Sequence, residues 1–524
     1  MKFTILSLAL LCVFQSSLAS RILFVFPSPS QSHLIVVKGL STTLAERGHD
    51  VTVVSPFPLD KPMKNYRDVK VEIPASFKQM QKDMAKNPNA PIFIRFPALL
   101  DILVLMGNTM LNSTEFKKIM NEEKFDLVVI GMFFNNYLLG VGDHFKCPTI
   151  MLSVSGPMTI TNLLMGNPLG VSSVRHMFLN TDVKTFKDRI VNFISHGADY
   201  LLKAYMNYLM QINYDLNFPS DRYISYDEAT KNLSLILLNS HFSQGGVRPY
   251  VPGMIEVGGL QIKPTPGKLP EDLQKWLDGG SEHGVVFFSL GSNAKTSFLS
   301  QEKIDVLLKV FSKLKQRVIM KWESNELAGK PENVLISKWL PQDDILPHPN
   351  LKVFISHCGL GSVAEAKFHG VPVIGIPLGI DQVTNADSIV AEGWAEKVDI
   401  NTLNVESLET ALNKVLYVKK YTDTARTISK LYRDRPQNAR ETAVFWTEYV
   451  IRHHGAKHLR YPGADLNFWQ RTSIDVVAFL MLVAYIVFKV FILIVRFLFS
   501  RICGLCKSEK AETKAKKAPK KKTN

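Results

Sequence analysis

The chain has 524 residues, 46% hydrophobic and 21% charged, with a formal net charge of +15 at pH 7. This length suits two or three domains with large cores, and five cysteines provide no disulfide framework. Nine Lys or Arg and two Glu fall within residues 501–524, so this tail carries 9 − 2 = +7 and the remainder 15 − 7 = +8. Because the charge is concentrated there, a nucleic-acid-binding face is excluded and a topology signal is indicated.

The first 20 residues are typical of a secretory signal peptide. Lys2 provides a positive start, residues 5–14 an apolar run and Ser17-Leu18-Ala19 a small-residue cleavage pattern. The run is too short for an anchor, and a strand-like segment begins at Arg21. We therefore expect the mature chain to begin near residue 21.

Apolar runs that alternate with helical patterns follow. The predicted strands are Arg21–Phe26, Asp50–Ser55, Phe125–Ile130, Pro148–Val154 and Leu233–Asn239, and a helix is predicted over Leu34–Arg47. Continuous Val, Ile and Leu runs between helices indicate a parallel sheet covered on both faces. Residues 80–120 and 170–225 predict helices that line an apolar pocket or pack as core.

A Pro-rich segment, Lys263-Pro-Thr-Pro-Gly-Lys-Leu-Pro270, predicts a linker, and the pattern then restarts. The second set of predicted strands is Val285–Leu290, Val318–Trp322, Val334–Ser337, Val353–Ser356 and Val371–Ile376. The predicted fold is α/β, with two facing Rossmann-like, doubly wound domains. Ligands in such sheets bind beyond the C-terminal strand ends, here between the halves.

The densest cluster of polar residues and glycines lies between Phe354 and Gln382. A strand ends at Ser356, a glycine-containing turn follows, and a helix starts near Ser362. A helix N-terminus of this kind directs backbone N–H groups toward a diphosphate. His357 can add a hydrogen bond or charge, and Glu365 can bind a ribose diol.

A second apolar stretch, Val476–Val495, is interrupted only by Lys489, whose stem can reach the interface. Its 20 residues at 1.5 Å each span a bilayer core of about 30 Å. Positive charge after this stretch predicts a cytosolic tail and a lumenal body. A buried helix of a soluble protein is the alternative.

Further signals accompany this topology. Lys521 and Lys522 resemble the dilysine retrieval signal of endoplasmic-reticulum membrane proteins. Asn112 and Asn232 begin glycosylation sequons. In the body only Cys147 and Cys358 are left, so a single bridge is the most that cysteines can form there.

The block from Phe354 to Gln382 resembles the signature of the UDP-glycosyltransferase family. The matching residues are Phe354-Ile-Ser-His-Cys-Gly359, Ser362, Glu365, Pro372, Pro377, Asp381 and Gln382. Trp339-Leu-Pro-Gln342, Ser289-Leu-Gly-Ser292, 47–55 and 446–452 also match. The likeness extends over essentially the whole chain and is closest to animal members, particularly insect ones.

This resemblance implies a GT-B fold whose first domain binds the acceptor and whose second binds the UDP-sugar. The implied boundaries are a signal peptide at 1–20, domains at 21–263 and 284–452 around a linker at 264–283, a juxtamembrane segment at 453–473, a transmembrane helix at 474–499 and a tail at 500–524. No Asp-x-Asp motif is present, so we expect no metal and no cofactor apart from the UDP-sugar co-substrate. The oligomeric state, including a homo-oligomer, stays open.

The resemblance also assigns roles in the donor site. Trp339 would stack on uracil, Gln342 would contact the nucleoside, and Glu365 would bind ribose. The remaining implied contacts are Ser292, His357 and Gly359 with the diphosphate, Gly361 and Ser362 at the same helix start, and Asp381 and Gln382 with the sugar. Lys321 stands where many members have a basic residue near the nucleotide.

The expected reaction is an inverting transfer of glucose or glucuronic acid to a hydroxyl of a small lipophilic acceptor. His33 matches the family's general base. Gly131 stands where the family usually has an acid that orients this base, and Asn135, Asn136 and Asp143 are the nearest polar substitutes in sequence. A weakly catalytic or non-catalytic binding protein is therefore an alternative. A lipid- or protein-directed transferase is a third possibility.

Overall fold

The computed structural model describes residues 19–77, 79, 92–132, 134–176, 179, 183–244, 246–292, 296–379 and 381–515. Residues 1–18 of the predicted signal peptide and the final residues of the predicted tail lie outside them. The chain divides into two compact units, a body at Met1–Ala464 and a C-terminal unit at Asp465–Asn524.

The first half of the body is built on a seven-stranded parallel sheet of order β3-β2-β1-β4-β5-β6-β7. The strands are β1 Arg21–Val25, β2 Asp50–Ser55, β3 Tyr66–Lys70, β4 Leu127–Met132, β5 Thr149–Ser153, β6 Leu233–Leu238 and β7 Met254–Glu256. The central strands are buried along their length because helices cover both faces.

The helices of this half follow the strands in α/β alternation. They are α1 Gln31–Glu46, α2 Ile92–Asn112, α3 Thr114–Glu122, α4 Gly140–Phe145, α5 Thr159–Met165, α6 Phe186–Asn217 and α7 Tyr226–Lys231, with a short 3-10 turn at Asn136–Leu139. Ser113 and Thr185 cap α3 and α6 by accepting N–H bonds from Phe116 and Asp188.

The second half carries a six-stranded parallel sheet of order β10-β9-β8-β11-β12-β13. Its strands are β8 Val285–Ser289, β9 Arg317–Lys321, β10 Val334–Ser337, β11 Leu351–Ser356, β12 Val373–Gly375 and β13 Ala395–Lys397. Its helices are α8 Glu271–Asp278, α9 Gln301–Ser312, α10 Gln342–Ile345, α11 Leu360–His369, α12 Asp381–Ala391, α13 Val405–Tyr417, α14 Lys419–Arg433 and α15 Ala439–Arg452, with a 3-10 turn at Thr296–Phe298.

The last helix of the body returns to the first half. Ala439, Ala443, Val444 and Val450 of α15 are buried in the core that covers one face of the first sheet. The predicted domain boundaries, 284–452 for the second domain, had assigned this helix to the second half. The chain therefore crosses between the halves twice, once after β7 and once between α14 and α15.

The C-terminal unit contains α16 Phe468–Arg471 and α17 Ile474–Ala515. Within α17, residues Ile474–Cys503 form a candidate membrane span with a mean hydropathy of 2.8 and no buried residues. The helix continues beyond the predicted end of the span at residue 499, because the basic residues that follow are also good helix formers.

Several sequence predictions agree with these bounds and others need correction. Strands β2 and β10 have the predicted ends, whereas β3, β7 and β13 were missed. Helix α11 begins at Leu360, two residues before the predicted start. Cys147 and Cys358 both carry free thiols, so no bridge joins them.

Candidate active site

The N-terminus of α11 is shaped by a short turn after β11. Cys358 has a left-handed φ of 61°, and its N–H donates to Ser356 Oγ at 3.1 Å. Gly359 then precedes the helix with extended backbone angles. The first N–H groups of an α-helix have no acceptor within the helix, so this end can bind an anion. Gly359, Gly361 and Ser362 lie here, as the sequence predicted.

The ring of His357 is packed between two glycines. A Cβ at Gly291 would lie 2.6 Å from this ring, and a Cβ at Gly359 would lie 2.5 Å from its Nε2. Both positions therefore exclude larger side chains. Burial, and then the charge of Lys321, lower the pKa of His357 to about 4, so the ring is neutral at physiological pH.

Two buried polar atoms near this turn have no hydrogen-bond partner among the described residues. They are His357 Nδ1 and the Oγ of Ser292, which follows β8. Lys321 approaches the same turn, where its Nζ donates to Gly291 O at 2.6 Å and contacts Glu323 Oε1 at 3.2 Å. Since buried polar groups are normally bonded, the two orphan atoms mark a site that a ligand can complete.

Two residues predicted to contact the nucleoside, Gln342 and Glu365, come together beside the helix. Gln342 Nε2, at the start of α10, donates to Ser362 Oγ at 3.1 Å and to Glu365 Oε2 at 2.7 Å. Burial, reinforced by the nearby charge of Asp343, raises the pKa of Glu365 to about 8. The carboxyl is therefore mostly protonated at neutral pH in the ligand-free site, and two donors from a ribose diol would favour its ionised form.

Trp339 lies on the adjoining loop and is 50% exposed. Its backbone carbonyl accepts a hydrogen bond from Ser337 Oγ at 2.8 Å, which fixes the loop rather than the ring. An indole exposed to this extent is available for stacking on a planar ring.

The predicted sugar-binding pair begins α12. Burial raises the pKa of Asp381, whose Oδ2 accepts from Asn385 Nδ2 at 3.1 Å. Gln382 Oε1 accepts from Leu378 N at 2.8 Å. Asn385 also donates to Cys358 O at 3.1 Å, so it ties the start of α12 to the anion-binding turn. The sequence analysis missed Asn385, although its i+4 spacing from Asp381 on a helix was a usable signal.

A second missed residue comes from the first crossing between the halves. Gln261 Nε2 donates to Gly361 O at 3.2 Å and also hydrogen-bonds with Glu365. Lys367 of α11 similarly donates to Ser243 O at 3.2 Å. Nothing in the local sequence around Gln261 indicates this role, because the contact forms only when the two halves pack.

His33, the predicted base, lies in the first turn of α1. Its Nδ1 is 3.4 Å from Ser28 Oγ. Burial lowers the pKa of His33 to about 4. The imidazole is therefore neutral at physiological pH, which is the form that accepts a proton.

Gly131 lies within β4 rather than after it. The position of the Phe26 ring explains why this residue has no side chain. A Cβ at position 131 would come within 1.5 Å of Phe26 Cδ2, so the aromatic ring fills the space of any side chain there. Of the three polar substitutes, Asn135 donates to Gly131 O at 3.0 Å and Asn136 is fully buried. Asp143 accepts from Ile224 N and pairs with Lys146.

Two Rossmann-like domains, each built on a parallel sheet, are the architecture of the GT-B class of glycosyltransferases. Solved structures share this fold. The glycotransferase of kitacinnamycin aligns with a TM-score of 0.53 at 17% identity, covering 83% of this chain and 100% of that one. A UDP-glucosyltransferase from Polygonum tinctorium aligns with a TM-score of 0.56 at 17% identity, covering 83% and 99%.

The family model described as UDP-glucoronosyl and UDP-glucosyl transferase matches residues 21–509, and the chain belongs to this family. A UDP-glucosyltransferase of Dactylopius coccus is 36% identical over 95% of this chain and 96% of the relative. A human UDP-glucuronosyltransferase is 30% identical over 87% and 89%. These matches confirm the predicted family and its insect-type character.

Proposed function

We propose that this enzyme transfers glucose from UDP-glucose to a hydroxyl of a small lipophilic acceptor, with inversion at the anomeric carbon. The observation that carries the proposal is the pair of buried, unpartnered atoms at the start of α11, Ser292 Oγ and His357 Nδ1. A diphosphate there would accept from backbone N–H groups and the Ser292 hydroxyl. No cofactor is required beyond this co-substrate.

In this mechanism the acceptor hydroxyl attacks the anomeric carbon while His33 takes its proton. The C–O bond to UDP breaks, and the developing negative charge is stabilised at the N-terminus of α11. In the tautomer whose Nδ1–H donates to Ser28 Oγ, 3.4 Å away, Nε2 is the nitrogen that receives the proton. Ser28 thus supplies an orienting contact where Gly131 supplies none.

We propose glucose rather than glucuronic acid as the donor sugar because of the names of the relatives that match this chain. The Dactylopius coccus protein named as a glucosyltransferase matches more of this chain, at higher identity, than the human glucuronosyltransferase. The acceptor's chemical class rests on the resemblance and on the membrane anchor, since lipophilic alcohols and phenols partition into lipid.

The decisive experiment supplies membranes containing the full chain with UDP-glucose or UDP-glucuronate, in parallel, over a panel of phenols and alcohols. We expect acceptor-dependent UDP release with UDP-glucose and at most one-tenth of that rate, about 1.4 kcal/mol less transition-state stabilisation, with UDP-glucuronate. Faster release with UDP-glucuronate would reassign the donor. Binding of UDP-sugars without release for any acceptor would establish the non-catalytic alternative instead.

We further propose a single-pass membrane protein of the endoplasmic reticulum, with a lumenal body and a cytosolic tail. The candidate span in α17 and the sequence signals at both ends support this topology. Asn112 and Asn232 are exposed and accessible to glycan transfer. We expect glycosidase-sensitive mass shifts that Asn112→Gln and Asn232→Gln abolish, and protease protection of the body in sealed microsomes. Digestion of the body without detergent would reverse the orientation.

A further inference from the structure

A small cavity lies where the two crossings between the halves meet. It has a volume of about 100 Å³ and is lined by both crossings. The first contributes Gly258 to Pro264 and the second contributes Tyr432 to Arg440, with Phe368 of α11 closing one side. A group bound here would contact both covalent connections between the two halves.

Three arginines surround this cavity. Arg435 donates to Gly258 O and Glu256 O at 3.3 and 3.2 Å, Arg440 Nε donates to Leu260 O at 3.1 Å, and Arg433 Nε to Ser429 O at 3.4 Å. All of these acceptors are neutral carbonyls. Across the described residues, none of the three guanidinium groups forms a salt bridge with a carboxylate. Each keeps N–H groups that these carbonyls do not use.

Two acids whose charges act on Arg435 and Arg440 also have hydrogen-bond partners elsewhere. Glu256 accepts from Ser240 Oγ at 3.0 Å and from Tyr250 OH at 3.4 Å. Asp343 accepts from His369 Nε2 at 2.9 Å and Lys263 N at 2.8 Å. Burial lowers the pKa of Arg435 and of Arg440, and the charges of Glu256 on the first and of Asp343 and Glu46 on the second offset this only in part.

A buried hydroxyl provides an independent indication of a ligand. Tyr432 lines the cavity, is 2% exposed, and its OH has no hydrogen-bond partner among the described residues. Its ring is held by stacking on His241, with centroids 4.1 Å apart. Gly259 leaves room beside the hydroxyl, since a Cβ there would lie 3.3 Å from it. An unpaired buried hydroxyl is costly, and an acceptor in the cavity would satisfy it.

We propose that this cavity binds a phosphate group. Guanidinium groups pair with phosphate oxygens through parallel N–H bonds, and the Tyr432 hydroxyl supplies one further donor. A cavity of about 100 Å³ is large enough for one phosphate group. The group can come from inorganic phosphate or from a small phosphate monoester. Bound there, it links the crossings and stabilises the body.

The test uses the full chain in detergent with saturating UDP, which occupies the proposed donor site. Inorganic phosphate is titrated against sodium chloride of equal ionic strength, with thermal unfolding and isothermal calorimetry as readouts. We expect a saturable rise in Tm of roughly 2–5 °C beyond the chloride control. Glycerol phosphate in a second arm identifies the source. Binding equal to that of phosphate indicates a monoester, weaker binding indicates the free ion, and either result supports the site.

Two variants locate the effect. Tyr432→Phe removes only a hydroxyl that is unbonded in the empty cavity, so it should fold normally and weaken phosphate binding by roughly threefold or more. Arg433→Gln should weaken it by roughly tenfold. Arg426→Gln, an exposed arginine of α14 outside the cavity, is the matched control. Phosphate binding that UDP abolishes, or that neither cavity variant changes, would overturn the proposal without affecting the proposed transferase activity.

Discussion

At the scale of single residues, the protonation of His33 sets the expected pH dependence. Because burial lowers its pKa to about 4, the imidazole is neutral above about pH 5 and protonated below the pKa. A general base needs the neutral form. We therefore expect kcat, measured at saturating UDP-glucose so that Glu365 is already bonded to ribose, to be flat from about pH 6 to 8 and to fall about tenfold per pH unit below about 4. Rates measured after brief pH jumps separate this titration from unfolding.

A substitution gives the matching control for this residue. His33→Gln should lower kcat by about 10²–10⁴-fold, the usual contribution of a general base, and leave the affinity for UDP unchanged. An inflection near the ordinary histidine pKa of about 6.5 in the wild-type profile would show that burial does not govern this residue.

A second residue-scale prediction concerns Phe26 and Gly131. Gly131→Asp alone should be destabilised by about 1–3 kcal/mol or more, because its Cβ overlaps the Phe26 ring. Phe26→Ala with Gly131→Asp relieves this clash, so the double variant should lose less stability than the sum of the losses of the two single variants. If the missing acid limits His33, the double variant should also have a higher kcat than Phe26→Ala with Gly131→Ala. Equal kcat values would mean that the missing acid does not limit His33.

At the scale of elements, the turns around His357 depend on glycines at defined positions. Gly291 and Gly329 both have a left-handed φ, of 86° and 72° respectively. A Cβ at Gly291 would meet the His357 ring, whereas a Cβ at Gly329 would meet nothing closer than Leu308 at 3.9 Å. Gly291→Ala should therefore weaken UDP binding at least about tenfold, whereas Gly329→Ala should incur only the backbone cost of about 1 kcal/mol in stability. Calorimetry with UDP compares the two, and equal affinities would remove the steric argument.

The elements also show which features the sequence could predict. The central strands were predicted because burial on both faces requires continuous apolar runs. The missed strands β3, β7 and β13 all lie at sheet edges. Residues there are partly exposed, so the runs are short or polar, as in Tyr66-Arg-Asp-Val-Lys70.

Within the candidate site, the contacts that could be predicted are those between residues close together in the sequence. The signature from Phe354 to Gln382 is local, so its turn and helix could be placed from the sequence alone. The contact of Gln261 with Gly361 and that of Phe26 with Gly131 join segments about 100 residues apart. No local pattern encodes such contacts. The sequence therefore showed that the acid is missing at position 131, but it did not show that the Phe26 ring fills the space of its side chain.

At the scale of the whole molecule, α6 presents an apolar face that nothing in the described part of the body covers. Phe193, Leu201 and Leu216 are 69%, 77% and 74% exposed, and Met206 and Met210 on the opposite face are buried. Isolated exposed apolar residues are common, but a stripe along a 32-residue helix is suited to a lipid surface. The enzyme would then have lipid contacts on two separate units.

This arrangement predicts that removing α17 does not make the body fully soluble. A chain ending at Ala464 should still float with phospholipid vesicles, because each large apolar side chain transferred from water contributes about 1.5–3 kcal/mol. Phe193→Asp with Leu201→Asp should reduce vesicle binding at least about 100-fold, whereas Leu431→Asp, which replaces an exposed leucine of α14, should not. Unchanged UDP affinity in each variant would show that the body is folded. Complete release of the unsubstituted body would leave α17 as the sole anchor, because the α6 face would then contribute no measurable binding energy to the lipid.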